Sequence, residues 1–155
     1  MREKFDTLIQ AVTGDIADKP LDDGLEQWLN HHYGPASDWY RNMEQACTQG
    51  IQDGWMCKYE ADGVKYGRVT KPSDATHGFS VDVVRMEDVR GPHHRHPNGE
   101  IDLILPVTPG ARFDGSDAGW KVYAPDSAHY PTVSHGTAHV LYLLPAGKIE
   151  FTKIQ

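Results

Sequence analysis

From Trp55 onward the chain is built of short β-prone runs, each closed by a turn and recurring roughly every ten residues. The runs cover residues 55–59, 64–69, 79–89, 101–107, 120–124, 129–133, 138–144 and 149–154. Between them lie Asp62-Gly63, Lys71-Pro72-Ser73-Asp74, Pro97-Asn98-Gly99, Thr108-Pro109-Gly110, Pro125-Asp126-Ser127, His135-Gly136 and Pro145-Ala146-Gly147. Each of these carries the Gly, Pro, Asn or Asp that a tight reversal needs. Strands this short and this evenly spaced predict a mainly β fold, a sandwich or barrel of the jelly-roll kind.

The first fifty-odd residues have a different period. Phe5, Leu8, Ile9 and Val12 recur at helical spacing, with Gly14 as the expected stop. Leu21, Leu25, Trp28 and Leu29 form a second stripe, with Asp22 or Asp23 as N-cap and Gly34-Pro35 as terminator. A third helix starts at Ser37 or Asp38 and carries Trp39, Met43, Ala46, Cys47 and Ile51 on one face. His31 and His32, at the end of the second helix, are placed to cap its carbonyls. The expectation is one domain over 1–155, with a helical segment at 1–53 covering a β-barrel at 54–155.

A chain of 155 residues with 39% hydrophobic and 24% charged residues has the make-up of a folded soluble domain. Its net charge of −7, with no run of Lys or Arg longer than two, argues against a nucleic-acid partner. The longest apolar stretch, at 140–144, is far short of a membrane span. The start Met1-Arg2-Glu3-Lys4-Phe5-Asp6 lacks the apolar core of a signal peptide. Two cysteines, Cys47 and Cys57, suit buried thiols in a reducing compartment, so the expected location is cytoplasmic.

Histidine is the outlier. Six of the nine fall between His93 and His139. In an extended segment His94 and His96 share one side while His93 and Arg95 take the other. The Pro97-Asn98-Gly99 turn then returns Glu100 to the His94/His96 side. Two imidazoles and a carboxylate suit a divalent transition metal such as Fe, Mn, Ni, Cu or Zn. His129, after its own turn, is the expected fourth ligand. His135, read as a hairpin tip, and His139, read as the start of a closing strand, are the rivals set aside. A cluster of merely structural histidines is the alternative. No Gly-x-Gly-x-x-Gly follows a strand, so neither a nicotinamide nor a flavin is expected.

His94-x-His96-x₃-Glu100 resembles the ligand part of the first motif of the cupin superfamily. Asp88 stands where that motif has its first glycine, and the later glycine is displaced to Gly110. The second motif is matched at His129, with its proline one place late at Pro125, Asp126 at the glycine and Val133 at the closing Asn. Four stretches are similar to a small cupin family that includes 4-hydroxylaminobenzoate lyase. They are His96-Pro97-Asn98-Gly99-Glu100-Ile101, Gly119-Trp120-Lys121-Val122-Tyr123, Ser127-Ala128-His129-Tyr130-Pro131-Thr132-Val133, and Leu141 through Phe151.

The resemblance implies a cupin-type jelly-roll barrel, often a homodimer, that turns 4-hydroxylaminobenzoate and water into 3,4-dihydroxybenzoate and ammonia. It implies His94, His96, Glu100 and His129 as ligands, with Glu100 either in that role or as an acid–base residue of raised pKa. A small aromatic acid also needs a cation and flat walls, for which Arg90 and Arg112, and Trp120, Tyr123 and Tyr130, are the candidates. The ordinary reading of each, surface arginine or core aromatic, stands beside the functional one. Two other functions use the same site: a metal-dependent oxygenase on a small aromatic or thiol compound, and a silent binder of a small acid.

Overall fold

The computed structural model describes residues 2–152. Three helices come first: α1 (Arg2–Ile16), α2 (Asp23–Tyr33) and α3 (Asp38–Asp53). Asp22 caps α2 by accepting from the Leu25 amide, and Ser37 caps α3 by accepting from that of Tyr40. Gly14 does not end α1, which runs two residues further. The glycine sits where a Cβ would lie 3.3 Å from the His77 ring, so it serves close packing instead. His32 donates from Nδ1 to the Trp28 carbonyl at 2.9 Å, as expected of a residue at a helix C-terminus.

Ten strands follow. They are β1 (Tyr59–Ala61), β2 (Val64–Thr70), β3 (Phe79–Arg90), β4 (His94–His96), β5 (Glu100–Pro106), β6 (Arg112–Phe113), β7 (Gly119–Tyr123), β8 (Ser127–His129), β9 (Thr132–Pro145) and β10 (Glu150–Phe151). One antiparallel sheet has the order β1-β2-β3-β9-β5-β7, with β6 also on β9; the other is β10-β4-β8. The chain therefore leaves the large sheet at β3, enters the small one at β4 and returns at β5. It repeats that excursion through β7, β8 and β9. This double exchange between two facing sheets is the jelly-roll arrangement, and the fold is mainly β as the turn spacing predicts.

The 129–133 and 138–144 runs are divided differently from expectation. His129 ends β8, and β9 is continuous from Thr132 to Pro145. His135-Gly136 is a bulge inside β9, not a hairpin tip: both have positive φ, and the register with β3 shifts between Glu87 and Val89. A Cβ at Gly136 would lie 2.5 Å from Thr108, so only glycine fits there. The expected strand at 55–59 begins only at Tyr59, and the end of the 149–154 run lies outside the described residues.

Alternate residues of the large sheet enter different cores. Val81, Val83, Ile101, Leu103, Leu141 and Leu143 pack against the helices with Phe5, Ile9, Leu29 and Met43. Val84, Met86, Ile104, Val140 and Tyr142 face the barrel interior with Phe113. Helix α2 also covers the edge strand β7. Asn30 accepts from the Trp120 amide and donates to its carbonyl, and Glu26 accepts from the Val122 amide. Side chains thus take the place of a further strand on an edge that would otherwise be open. Among the described residues no helix is long and apolar enough to cross a membrane.

Candidate metal centre and its cavity

Strand alternation places the two central ligands. His94 and His96 are buried, while Arg95 between them reaches outward to Asp126 and Glu150. His93 likewise faces away, bonded to Thr152. After β4 the chain reverses through a turn in which the Gly99 amide donates to the His96 carbonyl. Gly99 has φ 87°, and a Cβ there would lie 2.6 Å from Leu21. The turn delivers Glu100, fully buried, at the start of β5. His129 arrives from β8, directly opposite His94 in the strand register.

The four side chains converge as expected from the sequence. Their ligand atoms lie within 4.8 Å of one another. Glu100 Oε2 is 3.2 Å from His96 Nε2 and 3.4 Å from His129 Nε2, and Oε1 is 3.4 Å from His94 Nε2. His129 Nε2 lies 3.1 Å from His94 Nε2. Ligand atoms held on bonds of about 2.1 Å in a tetrahedral set are about 3.4 Å apart, so the spacing suits a small divalent cation. His96 Nε2 and both Glu100 oxygens are buried without a hydrogen-bond partner. Buried polar groups left in this state are costly, and a cation at their centre would satisfy them together. The residues present fit a transition metal.

The outer partners fix two of the rings. His129 donates from Nδ1 to Asp114 Oδ2 at 2.5 Å, and Asp114 also accepts from the Tyr123 hydroxyl and the Thr132 amide. His96 Nδ1 meets Ser127 Oγ at 3.0 Å. Each contact leaves Nε2 turned towards the cluster, the usual way a protein sets the tautomer of a ligand histidine. Burial opposes a charged His129, but Asp114 and Glu100 outweigh it and raise its pKa to about 9.

The neighbouring imidazoles set the electrostatics of Glu100. Burial alone would raise its pKa, yet the His129, His94 and His96 imidazoles outweigh burial and hold the carboxyl well below the usual range. An acid at this position would need the opposite shift. Its neighbour Asp102 is raised instead, pushed up by burial and then by the Glu100 charge, and burial raises Asp82 as well. Asp102 is fully buried, and both its oxygens lack a partner. Its signal was present in the sequence, since residue 102 must share the face of residue 100.

Beside His94 opens a cavity of about 670 Å³, bounded also by Arg68, Asp82, Met86, Arg90, Tyr130 and Tyr142. Its volume is in the range of small-molecule sites. Arg90 lies over the Tyr130 ring, 4.4 Å from its centroid, and forms no ion pair among the described residues. Arg68, by contrast, is held by Asp82 through Nε at 2.9 Å. The Tyr123 ring lies against that of His129, with centroids 4.5 Å apart and planes tilted by 44°.

Three of the expected substrate contacts are elsewhere, since Tyr123, Trp120 and Arg112 do not line this cavity. Trp120 faces the helices, donating its indole N–H to the Tyr33 carbonyl and packing on Trp39. It is three residues from Tyr123 on one strand, so the two must point to opposite faces. Arg112 is on the outer strand β6, exposed and 3.4 Å from Asp117. The rival histidines are also outside the cluster. His135 is exposed in its bulge, and His139 lies within β9, where Arg85 Nη1 is 2.8 Å from its Nε2. Burial and then the Arg85 charge push His139 down to about 4.

The two aspartates at motif-glycine places have a conformational explanation. Asp88 has φ 40° and Asp126 φ 66°, both in the left-handed region that glycine usually fills. Aspartate is among the few other residues that enter it readily. The Asp88 carboxylate also accepts from the Gly136 amide, and that of Asp126 binds Arg95.

Comparison with known proteins finds relatives of this chain. A Nocardioides sp. (strain LMS-CY) protein named 4-hydroxylaminobenzoate lyase is 35% identical over 146 residues, covering 88% of this chain and 86% of that protein. A Pseudomonas putida protein of the same name is 33% identical over 153 residues, covering 88% and 87%. Among solved structures, an RmlC-like cupin protein from Ralstonia eutropha JMP134 is similar at 14% identity and a TM-score of 0.45, covering 60% of this chain and 62% of that one. The PnbB family, described as 4-hydroxylaminobenzoate lyase, matches residues 7–151, and this chain belongs to it.

Proposed function

We propose that this chain is a lyase that converts 4-hydroxylaminobenzoate, or a close hydroxylamino-aromatic acid, and water into 3,4-dihydroxybenzoate and ammonia. The observation that carries this reading beyond family membership is the Arg90 cation, without an ion-pair partner among the described residues, on a largely apolar cavity that His94 helps to line. The substrate's carboxylate pairs with Arg90 at the exposed rim, and Tyr130 and Met86 flank the ring. This leaves the para nitrogen pointing inward, towards His94.

His94, His96, His129 and Glu100 would hold the metal, with Asp114 and Ser127 fixing two of the rings. A divalent cation there supplies Lewis-acid polarisation of an oxygen, or a water of lowered pKa. Glu100 acts as an anionic ligand, so the proton for the leaving N–O oxygen comes from water or another side chain. Apolar walls keep bulk water from the ring until that bond has broken. The reaction balances without an oxidant: the substrate and one water contain all the atoms of the catechol acid and ammonia.

The test is ammonia release from 4-hydroxylaminobenzoate with and without O₂, with ¹⁸O tracing in water and in O₂. Equal rates in both atmospheres, with label entering from water alone, are expected. Label from O₂, or activity that stops without it, would replace the lyase with an oxygenase on the same ligands. No turnover by metal-loaded protein would leave the small-acid binder or another substrate.

A further inference from the structure

Tyr142 is a buried polar group of the cavity that the metal cluster does not use. It lies on β9 with Asp82 and Asp102 as its register partners on either side. The side chain stands inside the barrel, 6% exposed, with its ring 6.4 Å from that of His94 and 6.3 Å from that of Phe113. It lines the cavity together with His94. A buried tyrosine hydroxyl normally finds a hydrogen-bond partner. Each of the other inward tyrosines near the site does so or is a rim residue: Tyr123 donates to Asp114, and Tyr130 lies under Arg90. The Tyr142 hydroxyl bonds to no side chain or backbone group among the described residues, so it is free to pair with a group that fills the cavity.

We propose that Tyr142 is a substrate contact that reads the para position of the bound acid, donating a hydrogen bond to the oxygen carried there. The inference rests on the orientation given above, with the carboxylate at Arg90 and the para group beside His94. Arg68 cannot take this role as a second anchor, because Asp82 already neutralises it. Within the reaction, the contact would hold the hydroxylamino oxygen beside His94 while the N–O bond breaks and that oxygen, protonated, leaves as water. A substrate with no oxygen at that end would leave the hydroxyl unpaired, which is the penalty by which such a site discriminates.

The experiment compares Tyr142→Phe with the wild type in binding two non-reacting acids, 4-hydroxybenzoate and benzoate, by calorimetry on metal-loaded protein. The variant loses no hydrogen bond within the protein, so it should fold and keep its metal; a thermal melt and metal analysis check both. Expected is a loss of about 3- to 10-fold in 4-hydroxybenzoate affinity with benzoate unchanged. Equal weakening of both acids, no weakening of either, or failure of the wild type to bind them would each overturn the assignment. The lyase reading is judged separately. A wild type that releases no ammonia but shows the selective loss keeps Tyr142 and removes the lyase. A wild type that releases ammonia without the selective loss does the reverse.

Discussion

The two faces of the large sheet are made from the same strands and obey different rules. On the helix side, Val81, Val83, Leu103, Leu141 and Leu143 are fully buried among apolar neighbours. On the inner side, one residue along from these, stand Asp82, Glu100, Asp102 and Tyr142, of which Glu100 and Asp102 have buried oxygens with no protein partner. A polar atom buried without a partner costs free energy that a well-packed leucine recovers. The helix face therefore stabilises the barrel, and the inner face uses that stability to hold groups that would not remain buried together otherwise. Helices α1 and α3 are needed because the sheet's outer face is too apolar to meet water.

The largest effect should come from breaking the inner face. His96→Ala removes one fully buried imidazole from the cluster, so bound metal should fall to background and turnover by more than about a hundredfold. The helix-side core is untouched, so the far-ultraviolet spectrum should be unchanged. Metal analysis of both proteins, purified without chelator, checks this; full metal content in the variant would remove His96 from the site.

The matching cut on the other face is Leu103→Ala. Leu103 is fully buried on the helix side between two site residues' neighbours, Asp102 and Ile104. The cavity left behind should cost about 2–5 kcal/mol in a denaturant titration. Metal content and KM of the folded fraction should match the wild type. A variant that lost metal as readily as stability would show that the two faces are coupled through β5.

Both faces were partly legible in the sequence, for reasons that differ by residue. His94, His96 and Glu100 could be placed because alternation and one turn determine them locally, with Gly99 making the turn. His129 could be found as a histidine just after a turn, although it ends one strand and does not open the next. Asp114 gave no signal: its bond to His129 crosses fifteen residues and depends on the two-residue strand β6. The continuity of β9 was hidden because a bulge and a hairpin tip use the same residues, His135-Gly136, and only the β3 register separates them. Trp120 and Tyr123 were a different case. Their odd spacing already says that both cannot face one cavity, and period-two counting from Glu100 would have returned Asp102, whereas Tyr142 is placed only by the β9 register with β3 and β5.

Asp114 gives a smaller and more specific effect. Asp114→Asn keeps the size and an acceptor oxygen but removes the charge that holds His129 Nδ1–H and the Tyr123 hydroxyl. Second-layer changes of this kind weaken metal binding by about 10–100-fold. A chelator competition should show that loss with the fold intact. An unchanged affinity would mean that His129 is oriented by its strand alone.

The smallest effect is the sharpest check on which face is which. Arg95 lies between His94 and His96, and strand alternation puts it outside, where it pairs with Asp126 and Glu150. Its side chain is 36% exposed and its partners more so. Ion pairs so open to water contribute at most about 1 kcal/mol, so Arg95→Ala should shift the denaturation midpoint only slightly. Metal content and turnover should be those of the wild type, although both chain neighbours are ligands. Were β4 displaced by one residue, Arg95 would point into the cluster and His94 and His96 would leave it. The variant would then change metal binding as strongly as His96→Ala does. Two adjacent substitutions, one abolishing metal binding and one silent, are the outcome that only the observed register allows.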